Sequence, residues 1–173
     1  MLRLLGRKWP NFNHDELRKR SKILVIDDNE FTYLKLFEND GYSVDKWDDV
    51  EDLTKLESGY YDLILLDIQG VGRDHSPEQG FGILKHIYNT NPAQIVIAYS
   101  NADWSLKYQD FFRMAKATLP KSDDYYSYKR TVDALLVERF TIDYYINQIC
   151  AIAQDSIHGV NNIQKMARRS ILK

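Results

Sequence analysis

Apolar positions along this chain come in short runs, each closed by acids or turn residues. KILVID, from Lys22, is apolar and β-branched and ends in an aspartate, which predicts a buried strand. NEFTYLKLFENDG then places Phe31, Leu34, Phe37 and Tyr33 at helical spacing, with Gly41 where a helix stop belongs. YSVDKW reads as a second strand. DDVEDLTKLESG reads as a short helix, with Asp48 or Asp49 near its N-cap and Gly59 past its end. YDLILLD is almost wholly apolar, as suits a third strand covered on both faces. GFGILKHIYNT predicts a helix with Ile83, Leu84, Ile87 and Tyr88 on one side, halted before Pro92. QIVIAYS is the fourth strand, ADWSLKYQDFFRMA a helix, and KATLP a fifth strand ended by its proline.

Strands alternating with helices of about ten residues predict βα units and a parallel, doubly wound α/β sheet. Five such units occupy residues 22 to about 140. Residues 1–21 form a polar, basic extension in which HDELRKR makes a short helix. Past Lys121, Ser122 or Asp123 is placed to cap a helix. Tyr128, Val132, Leu135, Leu136, Phe140, Tyr144, Tyr145, Ile149 and Ile152 then recur at spacings of three and four. The spacing fits one long helix, or two with a break near Thr141, so that residues 141–173 make a helical C-terminal extension. Such a stripe is core or dimer contact before it is a ligand site, and it points to a homodimer through the C-terminal helices.

Composition narrows the class. With 173 residues, 44% hydrophobic and 28% charged, the chain can bury one core. No apolar run approaches the roughly 20 residues of a membrane span, and the N-terminus lacks a signal-peptide core. One cysteine, Cys150, excludes an internal disulfide and a multi-cysteine zinc site, and reads as a small apolar helix residue. These features predict a cytoplasmic location. The net charge of −2 is uneven: residues 1–22 carry seven basic and two acidic side chains, and residues 160–173 four basic and none acidic. The body is therefore acidic, and nucleic acid is not an expected partner. The basic ends are solvated or dock on an acidic surface.

The candidate chemistry falls where a doubly wound sheet places a site, outside the carboxyl ends of its strands. Strand one ends in Asp27-Asp28, strand three in Asp67, strand four in Ser100 and strand five in Pro120-Lys121. Carboxylates this close cannot all stay ionised unless something neutralises them. A hard divalent cation held by carboxylates, a carbonyl and water does so, Mg²⁺ being the usual one. Lys121 pairs with a carboxylate when the metal is absent. A bound cation also lets a carboxylate attack phosphorus.

KILVIDDNE, YDLILLD, IVIAYS and LPKSD, in this order and spacing, resemble the receiver (CheY-like) domain of two-component response regulators over residues 22 to about 140. The resemblance implies a flavodoxin-like fold of strand order 2-1-3-4-5. It implies Asp67 as phosphoacceptor, Asp28 as a direct Mg²⁺ ligand, Asp27 as a ligand acting largely through water, and the backbone carbonyl of Gln69 as a further one. Ser100 would bond the new phosphoryl group and Lys121 would pair with it. The donor would be a histidine kinase or phosphotransfer protein. The protein would be no enzyme beyond an aspartate catalysing its own modification.

The chain departs from that pattern in places. The glycine that opens the third helix, Gly80, comes several residues late, and Gly70-Val71-Gly72 replaces the usual hydrophobic-proline pair. The inserted RDHSPEQ borders the site as a lid, a donor contact or a plain surface insertion, and its His75 reads as solvated. Thr118 and Leu119 stand where the family often has an aromatic. Tyr99 is a substitute in sequence, but strand alternation turns it to the face opposite Ser100. The tail carries no recognisable DNA-binding or enzymatic motif. The leading expectation is a phosphorylation-controlled receiver that switches protein contacts; the alternative is a phosphorylation-independent, receiver-like interaction scaffold. A phosphatase on the same fold is disfavoured, because Ile68-Gln69 after Asp67 breaks the Asp-x-Asp nucleophile motif.

Overall fold

The computed structural model describes residues 13–101 and 113–152. The expected helix ADWSLKYQDFFRMA lies almost wholly outside them. Among the described residues the order is α1 (His14–Arg20), β1 (Lys22–Ile26), α2 (Leu34–Asn39), β2 (Ser43–Trp47), α3 (Leu53–Glu57), β3 (Leu63–Asp67), α4 (Gly80–Thr90), β4 (Ile95–Ser100), β5 (Ala117–Pro120), α5 (Tyr125–Arg139) and α6 (Ile142–Ile152). All strand pairs are parallel and the sheet order is β2-β1-β3-β4-β5, as expected.

Strand alternation divides the core into two layers. Ile23, Val25, Leu63, Leu65, Ile95, Ile97 and Tyr99 face one way and meet Phe37 of α2, Tyr128, Val132 and Leu136 of α5, and Tyr144 of α6. Leu24, Ile26, Ile64, Leu66, Val96 and Ala98 face the other way, against Leu56 of α3 and Ile83, Leu84 and Ile87 of α4. β3 is buried at every position, which is why YDLILLD lacks alternation.

Several local expectations are corrected. The acid that caps α3 is Asp52, which accepts from Lys55 N at 3.2 Å. Asp48 is instead paired with Lys46 (2.7 Å), and the Asp49 carboxylate accepts from the backbone amides of Val50 and Gly72. The cap of α5 is Asp124, accepting from Ser127 N at 2.8 Å, because Pro120 to Asp123 form a turn. Phe31 lies in the turn before α2 rather than in it, yet is buried. Tyr88, expected on the inner side of α4, is 49% exposed. The break near Thr141 is present: Phe140 and Thr141 separate α5 from α6. Tyr144 packs into the core and donates to the Ala93 carbonyl at 2.7 Å, whereas Tyr145 and Ile149 of the same expected stripe are exposed. Cys150 is half-buried.

HDELRKR is the helix α1, capped by Asn13. It docks rather than trailing in solvent. Leu17 is buried, and Arg18 grips Asp133 of α5 through Nε (3.0 Å) and Nη2 (2.6 Å). Tyr42 donates to the same carboxylate. Among the described residues no helix is long and apolar enough to cross a membrane.

Candidate functional site

Five strands that run the same way deliver their last residues to one rim. Ile26 is paired with Leu66, so Asp27 and Asp67 emerge side by side from β1 and β3. Across β3, Asp67 is in register with Tyr99 of β4, and Ser100 with Pro120 of β5, next to Lys121. The sequence-predicted residues therefore come together. Asp27, Asp28 and Asp67 each present a carboxylate oxygen, all within 4.8 Å of one another. Asp27 and Asp67 are buried, and Asp28 is exposed.

Lys121 bridges the two buried acids. Its ammonium lies 2.6 Å from Asp67 Oδ2 and 2.8 Å from Asp27 Oδ2. The other oxygen of Asp67 accepts from the amides of Ile68 (2.7 Å) and Gln69 (3.3 Å). The other oxygen of Asp27 accepts from Asn29 N at 2.9 Å. Asn29 also donates its side-chain amide to Asp28 (2.7 Å).

Two carboxylates sharing one ammonium titrate differently. Burial pushes Asp67 upward, and Lys121 does not fully offset this against the nearby charge of Asp27. Burial also works to raise Asp27, but Lys121, Tyr99 and the Asn29 amide outweigh it and hold that acid below the usual range. For Lys121, burial opposes the charge and the two carboxylates more than restore it, so its pKa is raised.

Two glycines make the packing possible. A Cβ on Gly70, whose φ is +90°, would lie 2.2 Å from Asp28 Oδ2, and one on Gly80 would lie 1.9 Å from the Asp67 carbonyl oxygen. The long segment between them is tied down on its inner side. Val71 is fully buried among the residues under α4, and Gly72 donates to Asp49. Arg73, Asp74 and His75 are exposed at its tip.

Ser100 stands at the end of β4, and its carbonyl accepts from Lys121 N at 3.2 Å. Gln69 has an exposed side chain beside the acids. Two residues were missed from sequence. Lys46 of β2 donates to the carbonyls of Asp27 and Trp47, tying the β2 end to the acid loop. Tyr99 was set aside by alternation from Ser100. Alternation does separate those two, but it puts Tyr99 on the face of Asp67, where its hydroxyl donates to Asp27 Oδ2 at 2.6 Å. Counting parity from Asp67 instead of from Ser100 would have found it.

The donor set fits a hard divalent cation. It consists of oxygens only, with three carboxylates converging, one of them open to solvent. The ammonium between the two buried acids occupies the position of a counter-charge.

No family model matches the chain, and no curated protein matches it. Solved structures do. A response regulator receiver domain protein (CheY-like) from Methanospirillum hungatei matches with TM-score 0.58 at 23% identity, covering 69% of this chain and 95% of that one. A two-component response regulator from Clostridium difficile matches with TM-score 0.56 at 22% identity, covering 70% of this chain and 100% of that one. The response regulator protein TrrA of Thermotoga maritima, solved in complex with Mg²⁺-BeF, matches with TM-score 0.53 at 25% identity, covering 66% and 98%. The chain has the fold of these CheY-like receiver domains, a five-stranded parallel sheet of order β2-β1-β3-β4-β5.

Proposed function

We propose that this protein is a phosphorylation-controlled signalling receiver that accepts a phosphoryl group on Asp67. The observation that carries the reading is the convergence of Asp27, Asp28 and Asp67 within 4.8 Å beside a bridging Lys121, at the carboxyl rim of a receiver fold. A neighbour of the same fold is described as a complex with Mg²⁺-BeF, which supports a cation at this rim. Asp28, Asp27, Asp67 and the Gln69 carbonyl would hold Mg²⁺, which when bound supplies the positive charge that lets a carboxylate approach phosphorus.

The chain's own residues supply the rest. One oxygen of Asp67 is fixed by the Ile68 and Gln69 amides, which leaves the Lys121-facing oxygen as the nucleophile. That oxygen attacks phosphorus, the bond from phosphorus to the donor's histidine nitrogen breaks, and the imidazole leaves. The donor class is a histidine kinase or phosphotransfer protein. The new group brings charge and acceptor oxygens to one point, where Lys121 pairs with it and the Ser100 hydroxyl bonds it. Rearrangement at the ends of β4 and β5 then changes the surface offered to partners. Output through protein contact suits an acidic body; exposed Tyr145 and Ile149 on α6 mark where a second copy would pack.

Incubation with MgCl₂ and acetyl phosphate, read by intact mass, tests the reading. One added phosphoryl on the wild type and none on Asp67→Asn is expected. No gain on the wild type, or an equal gain on the variant, overturns it in favour of the phosphorylation-independent scaffold.

A further inference from the structure

Asp27 is crowded with donors. It is 2% exposed, and it accepts from Asn29 N on one oxygen and from both Tyr99 and Lys121 on the other. Three of about four acceptor positions of a carboxylate are therefore filled. A cation, or water bound to one, can engage the inner oxygen of Asp27 only if a donor leaves it. Lys121 is also held at 2.6 Å by Asp67, whereas the Tyr99 hydroxyl bonds Asp27 alone among the described residues. The Tyr99 ring touches a group of aromatics, with Phe31 at 6.0 Å and Tyr128 at 6.5 Å between centroids. A cavity of about 40 Å³ opens among Asp27, Phe31, Tyr33, Tyr99, Lys121 and Tyr128. That is room for a shifted hydroxyl or a water molecule, which needs on the order of 10–15 Å³.

We infer that Tyr99 is a built-in competitor for the cation: the cation draws on Asp27 Oδ2, the oxygen on the side of Lys121 and Asp67, and the phenol occupies that oxygen, so metal binding there and the Tyr99–Asp27 hydrogen bond exclude each other. The inference rests on the metal-dependent reading above and deepens it. Tyr99 is a positioning residue acting through Asp27. Without a cation, the phenol and Lys121 together keep the buried carboxylate satisfied. With a cation, the phenol is released toward Phe31 and Tyr128, so occupancy of the acid pocket is transmitted to the aromatic layer beneath α2 and α5. The aromatic that reports on the site thus sits on β4 and senses metal directly.

Calorimetric titration of the full chain with MgCl₂ tests this on wild type, Tyr99→Phe and Tyr128→Phe. Tyr128 is the control because its hydroxyl donates to the Pro120 carbonyl (3.1 Å) and not to an acid. Tyr99→Phe keeps the ring and removes the competing donor. It is expected to bind Mg²⁺ about tenfold more tightly, the scale of one hydrogen bond to a carboxylate, with Tyr128→Phe within about twofold of wild type. In protein labelled with 3-fluorotyrosine, the ¹⁹F resonance that Tyr99→Phe deletes is expected to shift on adding Mg²⁺. Wild type that binds Mg²⁺ with Tyr99→Phe no tighter, or with Tyr128→Phe tightened equally, overturns the inference and leaves the metal-dependent reading standing. No Mg²⁺ binding by any of the three overturns both.

Discussion

The side-chain oxygen of Gln79 accepts a hydrogen bond from the backbone amide of Gly70 at 2.9 Å, closing the neck of the long loop that follows Asp67. Gln79 does this from a left-handed backbone, with φ of 55°, the one such non-glycine among the described residues. Its own carbonyl receives Ile83 N at 3.2 Å, so the same residue begins α4. The loop's exposed tip is thus mounted on a fixed base beside the acids. Gln79→Ala keeps the backbone strain and loses the staple, so it should lower stability by about 1–2 kcal/mol; Gln79→Gly relieves the strain and should cost less. Urea unfolding of both variants measures the order, and equal losses would show that the strain is not real.

Gly80→Ala should be much worse. The added methyl falls 1.9 Å from the Asp67 carbonyl oxygen and 3.0 Å from Ile68 Cα, both backbone, so either α4 or the Asp67 turn must move. A loss of about 3 kcal/mol or more is expected. Thermal unfolding of Gly80→Ala against wild type provides the check.

Asp67→Asn should stabilise the protein at neutral pH in the absence of divalent metal. Burial raises the carboxyl of Asp67 above its ordinary value, so the folded state holds that proton more tightly than the unfolded chain. Ionised Asp67 therefore costs stability above the folded pKa, and the cost fades as pH falls toward the ordinary carboxylate value of about 4. The variant should be more stable than wild type at pH 7 and no more stable below about pH 4. Added MgCl₂ should narrow the gap by stabilising the wild type. Denaturant midpoints across that range measure it.

Arg18 and Asp133 should unfold the protein as a pair. For Asp133, burial raises the carboxyl, but the bidentate Arg18 and the Tyr42 hydroxyl outweigh it and hold the pKa below its ordinary value. A depressed acid contributes above its unfolded pKa of about 4 and loses that contribution as pH falls through its folded value. Asp133→Asn should cost about 2 kcal/mol at pH 7, as should Arg18→Ala, and the double variant should cost less than the sum. A double-mutant cycle by urea unfolding at pH 7, repeated below pH 4, decides.

Most of the sheet was legible because its signal is local. Each strand is a run such as KILVI or LILLD whose burial requires apolar side chains, and five such runs separated by helical spacing admit few topologies. The capping residues were less legible. Asp48, Asp49 and Asp52 are chemically alike, and only their partners, neighbouring Lys46 for Asp48 and distant Gly72 for Asp49, decide that Asp52 is left to cap α3. The exposure of Tyr145 beside buried Tyr144 was likewise beyond reach, since one helix face is chosen by where α6 meets Ala93.

The sequence by itself determined the set of groups at the rim: Asp67 and Ser100 end strands, Asp27, Asp28 and Lys121 follow directly on strands, and parallel strands of similar length must end together. The tertiary structure alone decided how those groups are partnered. That Lys121 bridges Asp67 and Asp27, that Gly80 lets α4 press on the Asp67 carbonyl, and that Tyr99 takes an oxygen of Asp27 all depend on register between strands far apart in the chain. Spacing along a chain sets which residues share a face, but hydrogen bonds across a sheet form at distances near 3 Å, a precision that only packing of the whole core supplies.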